Sequence, residues 1–539
     1  MYFYLPVAAR GVLRLIAALA CVAVLFGQGN PAAAQSTTFS RALAEVAASD
    51  EVAAAFYRSN NYQTLWSAPQ DQTRRHALIT ALTGAALQGL PAPRYDVTGL
   101  VAAAKAAQTE GDRGRFEMAM TKAFLTYARD VSSGVLEPKQ IDGGILREIA
   151  RPDPALLLTQ LAAATAPAAY LRNLAPKAPE YARLMKEKLR LEAAIAAGGF
   201  GADITATAFE PGQTGVDVVM LRDRLITLGY LGPSAVGSYD RQVRSAVQRF
   251  QLDQGITADG IAAASTIAAL NTLPQQRLKS VVVAMERLRW MGNTPLGARH
   301  IWVNQPDFTA KIVDDGQVTF QTRVVIGKND PDTRSPEFSD EMEYMVINPS
   351  WGVPRSITVK EYLPMLQRNP NAVGHLQVVD RSGRVVPRGA VNFAAYSASS
   401  FPFGLRQPPS DGNALGKVKF MFPNPYNIYL HDTPAKALFA NEVRAFSHGC
   451  IRVGDPMDLA YALLSKQSDD PQAEFESYLV TKRESSVSLT TPVPVHLVYF
   501  TAWPSQNGTM GYRRDVYGRD AALLAALVAA GVVLPGVQG

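Results

Sequence analysis

Phe446 to Val453 read FSHGCIRV, and this short segment holds Cys450, one of two cysteines in the chain. The other, Cys21, lies in an apolar N-terminal run. A thiol with His448 two residues before it and His431 a loop upstream is a candidate nucleophile with two candidate bases. A thiol attacks an amide only as thiolate, so the identity of the base matters. His448 is adjacent in sequence, but residues two apart share a strand face only where the strand is regular, and Gly449 between them makes a bend. His431 closes the run YNIYLH and could approach across a sheet. The residues alone leave the choice open. Cys450, His431 and His448 also have the ligand types of a zinc site, but their spacing fits no zinc motif. An inert buried cysteine is common, yet a polar stretch rich in histidine and glycine argues against it here.

The longer segment Asn424 to Val453, NPYNIYLHDTPAKALFANEVRAFSHGCIRV, resembles the active-site signature of the L,D-transpeptidases. These are cysteine enzymes that cross-link bacterial peptidoglycan. The resemblance implies Cys450 as nucleophile and His431 as proton acceptor and donor. It gives His448 and Gly449 the shaping of a loop whose backbone N–H groups stabilise an oxyanion. The base would be oriented by a backbone carbonyl, and Asp432 is not claimed as a third catalytic member. Arg452 would bind a substrate carboxylate or brace the loop. Ser447 fits a loop hydrogen-bonding position. Tyr429 and Asn413 resemble pocket-lining positions, and Trp351 a packing residue near the cleft. The implied partners are peptidoglycan stem peptides, a tetrapeptide donor and a diaminopimelate acceptor, with carbapenem-type β-lactams as inhibitors. No metal or organic cofactor is implied, because the thiol supplies the covalent step. Water or a protein lysine could replace the acceptor amine. A non-catalytic wall-binding protein would need neither His431 nor Cys450.

Residues 1–34 read as a secretory signal. Arg10 and Arg14 supply positive charge, Leu13 to Phe26 the apolar core, and Pro31 to Ala34 small residues before a cut at Gln35. The rival is an uncleaved anchor, but the core is shorter than the roughly 20 residues a bilayer needs. A lipoprotein cysteine at Cys21 is disfavoured by Ala18 and by the apolar run that follows it. Export to a periplasm explains why the mature chain keeps a single thiol, since paired ones would form disulfides there. The net charge of +6 could suit a polyanion, but no nucleic-acid motif accompanies it. A mildly basic surface facing an acidic wall polymer is the simpler reading.

The elements that must position this chemistry form a multidomain α+β chain. Residues 35–200 are alanine-rich with helical periodicity. Phe56, Tyr57, Leu65 and Trp66 form one aromatic cluster, and Phe124, Leu125, Tyr127 and Ala128 recur at helical spacing before Gly134 and Pro138. The region resembles the helical scaffold of long Gram-negative L,D-transpeptidases. Residues 205–272 resemble a three-helix peptidoglycan-binding domain. Val219, Leu221, Leu225 and Leu228 should line its first helix, and Val243, Val247 and Phe250 its second. Tyr230, Arg241 and Gln251 are left to meet a glycan or stem peptide. A linker helix follows over 273–298. From 299 to 505 the period changes to strands, a β-rich catalytic domain interrupted by an inserted lid at about 360–406. The segment 506–539 should dock as a helix.

Overall fold

The computed structural model describes residues 38–292, 294–505 and 508–536. The expected signal segment 1–34 and Cys21 lie outside the described residues. Among the described residues no helix is long and apolar enough to cross a membrane.

The N-terminal helices pack around the long helix Glu110–Ser133, which is N-capped by Thr109 and stops at Gly134 with φ +90°. The predicted aromatics are core: Tyr57, Trp66 and Phe124 are fully buried. Their loop is organised by one carboxylate. Buried Glu117 accepts hydrogen bonds from Tyr57 Oη and from the backbone N–H groups of Leu65, Trp66 and Ser67. A loop with three such donors satisfied can be buried at little cost.

The helix Pro274–Met291 is more than a linker. Every residue from Val281 to Trp290 is buried, so it is the axis of the molecule. On one side it packs against the helix Pro179–Ala196; on others it meets Trp302, Phe500 and the C-terminal helix Arg519–Ala529. Glu286 accepts from the N–H groups of Val135 and Leu136, from Trp290 Nε1 and from Arg289. Gly134 lets the chain pass: a Cβ there would lie 2.6 Å from the Trp290 ring. A boundary at residue 200 therefore cuts across a shared core.

Residues 204–270 form the expected three-helix unit, from Val216–Thr227, Arg241–Gln254 and Ala264–Leu270. Three expectations are corrected. The inward position of the first helix is Val218, at the i, i+3, i+7 spacing with Leu221 and Leu225, while Val219 faces out. Tyr230 is buried and donates to Asp253 at 2.8 Å. Gln251 is buried too, and spends its amide on Asp259, Ile261, Thr266 and the N–H of Gly260. Neither is free for a ligand; Arg241 is exposed.

Residues 299–498 form a β-barrel. Its strands are β1 (Arg299–Asn304), β2 (Thr309–Asp314), β3 (Gln317–Gly327), β4 (Phe338–Ile347), β5 (Trp351–Gly352), β6 (Gln377–Val379), β7 (Val385–Val386), β8 (Gly404–Gln407), β9 (Val418–Met421), β10 (Leu430–His431), β11 (Ala445–Ser447), β12 (Ile451–Val453) and β13 (Ser485–Val498). The main sheet runs β11-β3-β12-β10-β9-β4-β13-β1-β2, and an added β2–β3 pairing closes it. β3 does this by sharing its length, first with β2 and then with β12 and β11. The interior is filled by Ile301, Met345, Phe420, Leu430, Ile451 and their neighbours.

The insertion is a folded unit spanning Trp351 to Gln407, wider than the expected 360–406. β5, β8, β6 and β7 make a small sheet whose two ends meet at the Trp351–Gln407 pair. It has its own core of Val353, Ile357, Leu366, Val378, Phe393 and Leu405. The turn-rich sequence hides this, because its strands are only two to four residues long.

Replacing Glu286 by alanine strands the buried charge of Arg289 and two backbone donors. Removing one partner of a buried pair costs on the order of 3–5 kcal/mol. Urea unfolding of Glu286→Ala should show that loss; a change below about 1 kcal/mol, the range of exposed pairs, would mean the junction does not depend on this carboxylate.

Candidate active site

β10 and β12 are short, parallel and adjacent, with Leu430 opposite Ile451 and His431 opposite Arg452. Leu430 and Ile451 point into the barrel core. Side chains alternate along a strand, so His431 and Arg452 turn to the other face. One step back, on the same face, stand Tyr429 and Cys450. This pairing puts thiol and imidazole, 19 positions apart in sequence, on one face of the sheet.

His431 is 5% exposed. Its Nδ1–H donates to the backbone carbonyl of Asp432 at 2.5 Å, which leaves Nε2 as the acceptor nitrogen. The Asp432 carboxylate is occupied elsewhere, by the N–H groups of Lys417 and Thr433 and by Lys436 Nζ. Burial, then the charge of Arg452, holds the imidazole down to about 4. Cys450 is half-buried, and its Sγ donates to Asn427 O at 3.5 Å. Burial pushes the thiol up to about 11, against the opposing pull of hydrogen bonds from Tyr429 and of the Arg452 charge. Tyr429 is itself pushed up by burial and by the cysteine beside it. At neutral pH the resting pair is therefore thiol and neutral imidazole.

Three carbonyls of the loop between β11 and β12 are held by hydrogen bonds. Gly449 has φ +119°, a conformation that disfavours side chains. Ser447 Oγ donates to Cys450 O at 2.6 Å, and Ser335 Oγ donates to Gly449 O at 2.7 Å. Lys328 N–H donates to Ser447 O. Ser447 is thus a loop brace, buried away from the cleft.

His448 points away from His431 and meets the insertion: its Nε2 lies 2.7 Å from Glu361 Oε1. The preceding residue, Lys360, reaches Asp332 at 2.6 Å. Adjacent residues of the insertion thus grip two loops of the cleft. Arg452 is partly buried, and its Nε has no hydrogen-bond partner among the described residues. Among them no group of three or more His, Cys, Asp or Glu is placed to hold a metal ion.

Of the other two residues named by the resemblance, Asn413 is taken up in structural hydrogen bonds and Trp351 is a packing residue. Asn413 is fully buried, donating to the carbonyls of Gln407 and Pro408 and accepting from Leu415 N–H, so it braces the end of the insertion. Trp351 packs edge-on to Tyr362 within the insertion. Sequence reasoning missed Glu361, Lys360, Asp332 and Ser335. Glu361 is 87 residues from His448, and no motif links them.

Residues 298–495 match the family model for the L,D-transpeptidase catalytic domain, YkuD. Residues 214–270 match the model described as "Putative peptidoglycan binding domain", and 51–187 match a scaffold domain. The chain carries matches to all three models. A curated relative from Haemophilus influenzae, named "Putative L,D-transpeptidase", is 33% identical over 222 residues, which are 41% of this chain and 44% of that protein. The chain thus spans less than half the length of that relative. Solved structures of an L,D-transpeptidase from Xylanimonas cellulosilytica and one from Stackebrandtia nassauensis are similar at 14% and 16% identity. They cover 55% of this chain each, and 98% and 97% of their own, with TM-scores of 0.17 and 0.22.

With the thiol near 11, roughly one molecule in ten thousand is thiolate at pH 7. Alkylation of Cys450 by iodoacetamide should be slow at pH 7 and climb about tenfold per pH unit to pH 10. A rate that is fast and level from pH 6 would mean a resting thiolate–imidazolium pair instead.

Proposed function

We propose that this chain is a peptidoglycan L,D-transpeptidase that works through a thioester on Cys450. The observation that carries the reading is the β10–β12 pairing, which sets His431, with Nε2 free, on the face of Cys450. The thiol attacks the carbonyl that joins the third stem residue to the terminal D-alanine, and His431 takes the thiol proton. The C–N bond breaks, His431 protonates the departing amine, and D-alanine leaves. The side-chain amine of another stem's third residue, a diaminopimelate in this reading, then attacks the thioester. His431 accepts that proton and returns it to the thiolate as the new amide forms. Arg452, charged and unsatisfied beside the thiol, suits a substrate carboxylate better than a loop contact. Tyr429 lines the wall beside Cys450 and hydrogen-bonds the sulfur.

The three-helix unit is read as a wall-binding module, with Arg241 on its outer surface. The peptidoglycan-related domains suit a protein associated with the cell wall. Export by residues 1–34 to the periplasm completes this reading. The insertion favours an amine over water as acceptor. Held through Glu361 and Lys360, it shields the thioester from bulk solvent.

Purified sacculi incubated with the protein should yield muropeptides linked between third residues. Tripeptides alone would make it a carboxypeptidase. A carbapenem should add its mass to the wild type and not to Cys450→Ala, and His431→Ala should acylate on the order of a hundredfold more slowly or worse. Equal labelling of wild type and Cys450→Ala would remove the nucleophile assignment. Freeing the insertion with Lys360→Ala and Glu361→Ala should raise the ratio of hydrolysed tripeptide to cross-linked product. An unchanged ratio in the folded double variant would leave the insertion without a part in acceptor choice.

A further inference from the structure

We infer that Ser335 is the positioning residue of the oxyanion site, and that the C-terminal segment reaches the reaction through it. This rests on the acyl-transfer reading above. A trans peptide points its C=O and N–H in opposite directions. The carbonyl of Gly449 is held by Ser335 Oγ at 2.7 Å on the buried side of the loop. The other half of that peptide is the N–H of Cys450. Anchoring the carbonyl inward turns this N–H outward, to the side where an oxyanion forms when the thiol beside it attacks. Gly449, at φ +119°, would otherwise allow the peptide to flip, since glycine visits both signs of φ with ease.

The direction of the Ser335 hydrogen bond is forced by its neighbours. Ser335 is fully buried. Its hydroxyl accepts from Gly327 N–H at 3.0 Å, so its one proton is left for Gly449 O. Its own N–H donates to Tyr517 Oη at 3.2 Å, and the Tyr517 hydroxyl proton goes to Gly327 O at 2.7 Å. Its carbonyl accepts from Arg519 at 3.1 Å. Each of these groups has a defined partner, and a chain of fully satisfied buried bonds has little freedom to rearrange. Gly327 must be glycine for the approach, since a Cβ would lie 1.9 Å from Thr333 O.

Tyr517 and Arg519 lie beyond residue 495, where the match to the catalytic family ends. Arg519 is 1% exposed and is held by Glu337 at 3.3 Å and Asp142 at 3.5 Å, with Tyr517 beneath its guanidinium at 5.0 Å. Arg287 of the axial helix joins through Glu337 and Asp520. Scaffold, axial helix and C-terminal helix therefore converge on the residue that orients one peptide of the catalytic loop. A surface docking helix would need none of these contacts.

The test uses the full chain and the variants Ser335→Ala and Tyr517→Phe. Two reactions of the same sulfur are compared: acylation by a carbapenem, which passes through an oxyanion, and alkylation by iodoacetamide, which does not. Loss of one oxyanion donor costs about a hundredfold to a thousandfold in rate. Ser335→Ala should lose one to two orders of magnitude in the limiting rate of acylation, with half-saturating carbapenem concentration and alkylation rate unchanged within about twofold. Tyr517→Phe should show the same split at smaller amplitude, and it decides the matter if Ser335→Ala does not fold. Equal falls in both reactions would show a collapsed loop and overturn the inference, as would a folded variant with acylation at the wild-type rate. A wild type that never forms the carbapenem adduct overturns the acyl-transfer reading and this inference with it.

Discussion

The site depends on the parallel pairing of β10 with β12. These strands contribute two and three residues, yet their register decides which side chains share a face. A slip by one residue would turn Leu430 and Ile451 to the cleft and drive His431 into an apolar core. The apolar pair therefore protects the polar one. Burying Leu430 and Ile451 is worth about 1.5–3 kcal/mol each, a large penalty against the wrong register. On its other side β12 pairs with β3, so it is held on both edges.

Burial at this site sets the chemistry as well as the geometry. It raises the thiol and lowers the imidazole, so both are neutral at rest. A neutral pair costs less to bury than an ion pair, whose desolvation can exceed its Coulomb gain. The same condition leaves the charge of Arg452 as the local field. It opposes protonation of His431 and favours the thiolate.

The insertion and the C-terminal segment approach the catalytic loop from opposite sides. The insertion acts through exposed groups: Glu361 and His448 are 45% and 30% exposed in their side chains, and Lys360 and Asp332 more so. Such contacts are individually weak and reversible. The C-terminal side acts through Ser335, Tyr517 and Arg519, all buried. One side of the loop is thus held by exposed, individually weak contacts and the other by buried ones.

Much of this was legible in the sequence. The Ser-His-Gly-Cys segment and its upstream histidine pointed to the candidate site, the change of period at Arg299 to a β-rich domain, and the aromatics at Tyr57, Trp66 and Phe124 to the helical core. These are local signals, written in residue type and spacing. What needed the tertiary structure was each partner chosen across distance. His431 and His448 are equal candidates by spacing alone; strand register puts His431 on the face of Cys450, while His448 meets Glu361. Tyr230, Gln251 and Asn413 looked like ligand-facing polar residues, but each fills a buried hydrogen-bonding need that only the packed chain creates. The insertion reads as a lid without visible strands, because those strands are too short to show a period and its core is assembled from residues 353 to 405. Ser335 has no motif around it. Its role follows from where the fold points one hydroxyl proton, and a sequence does not contain that direction.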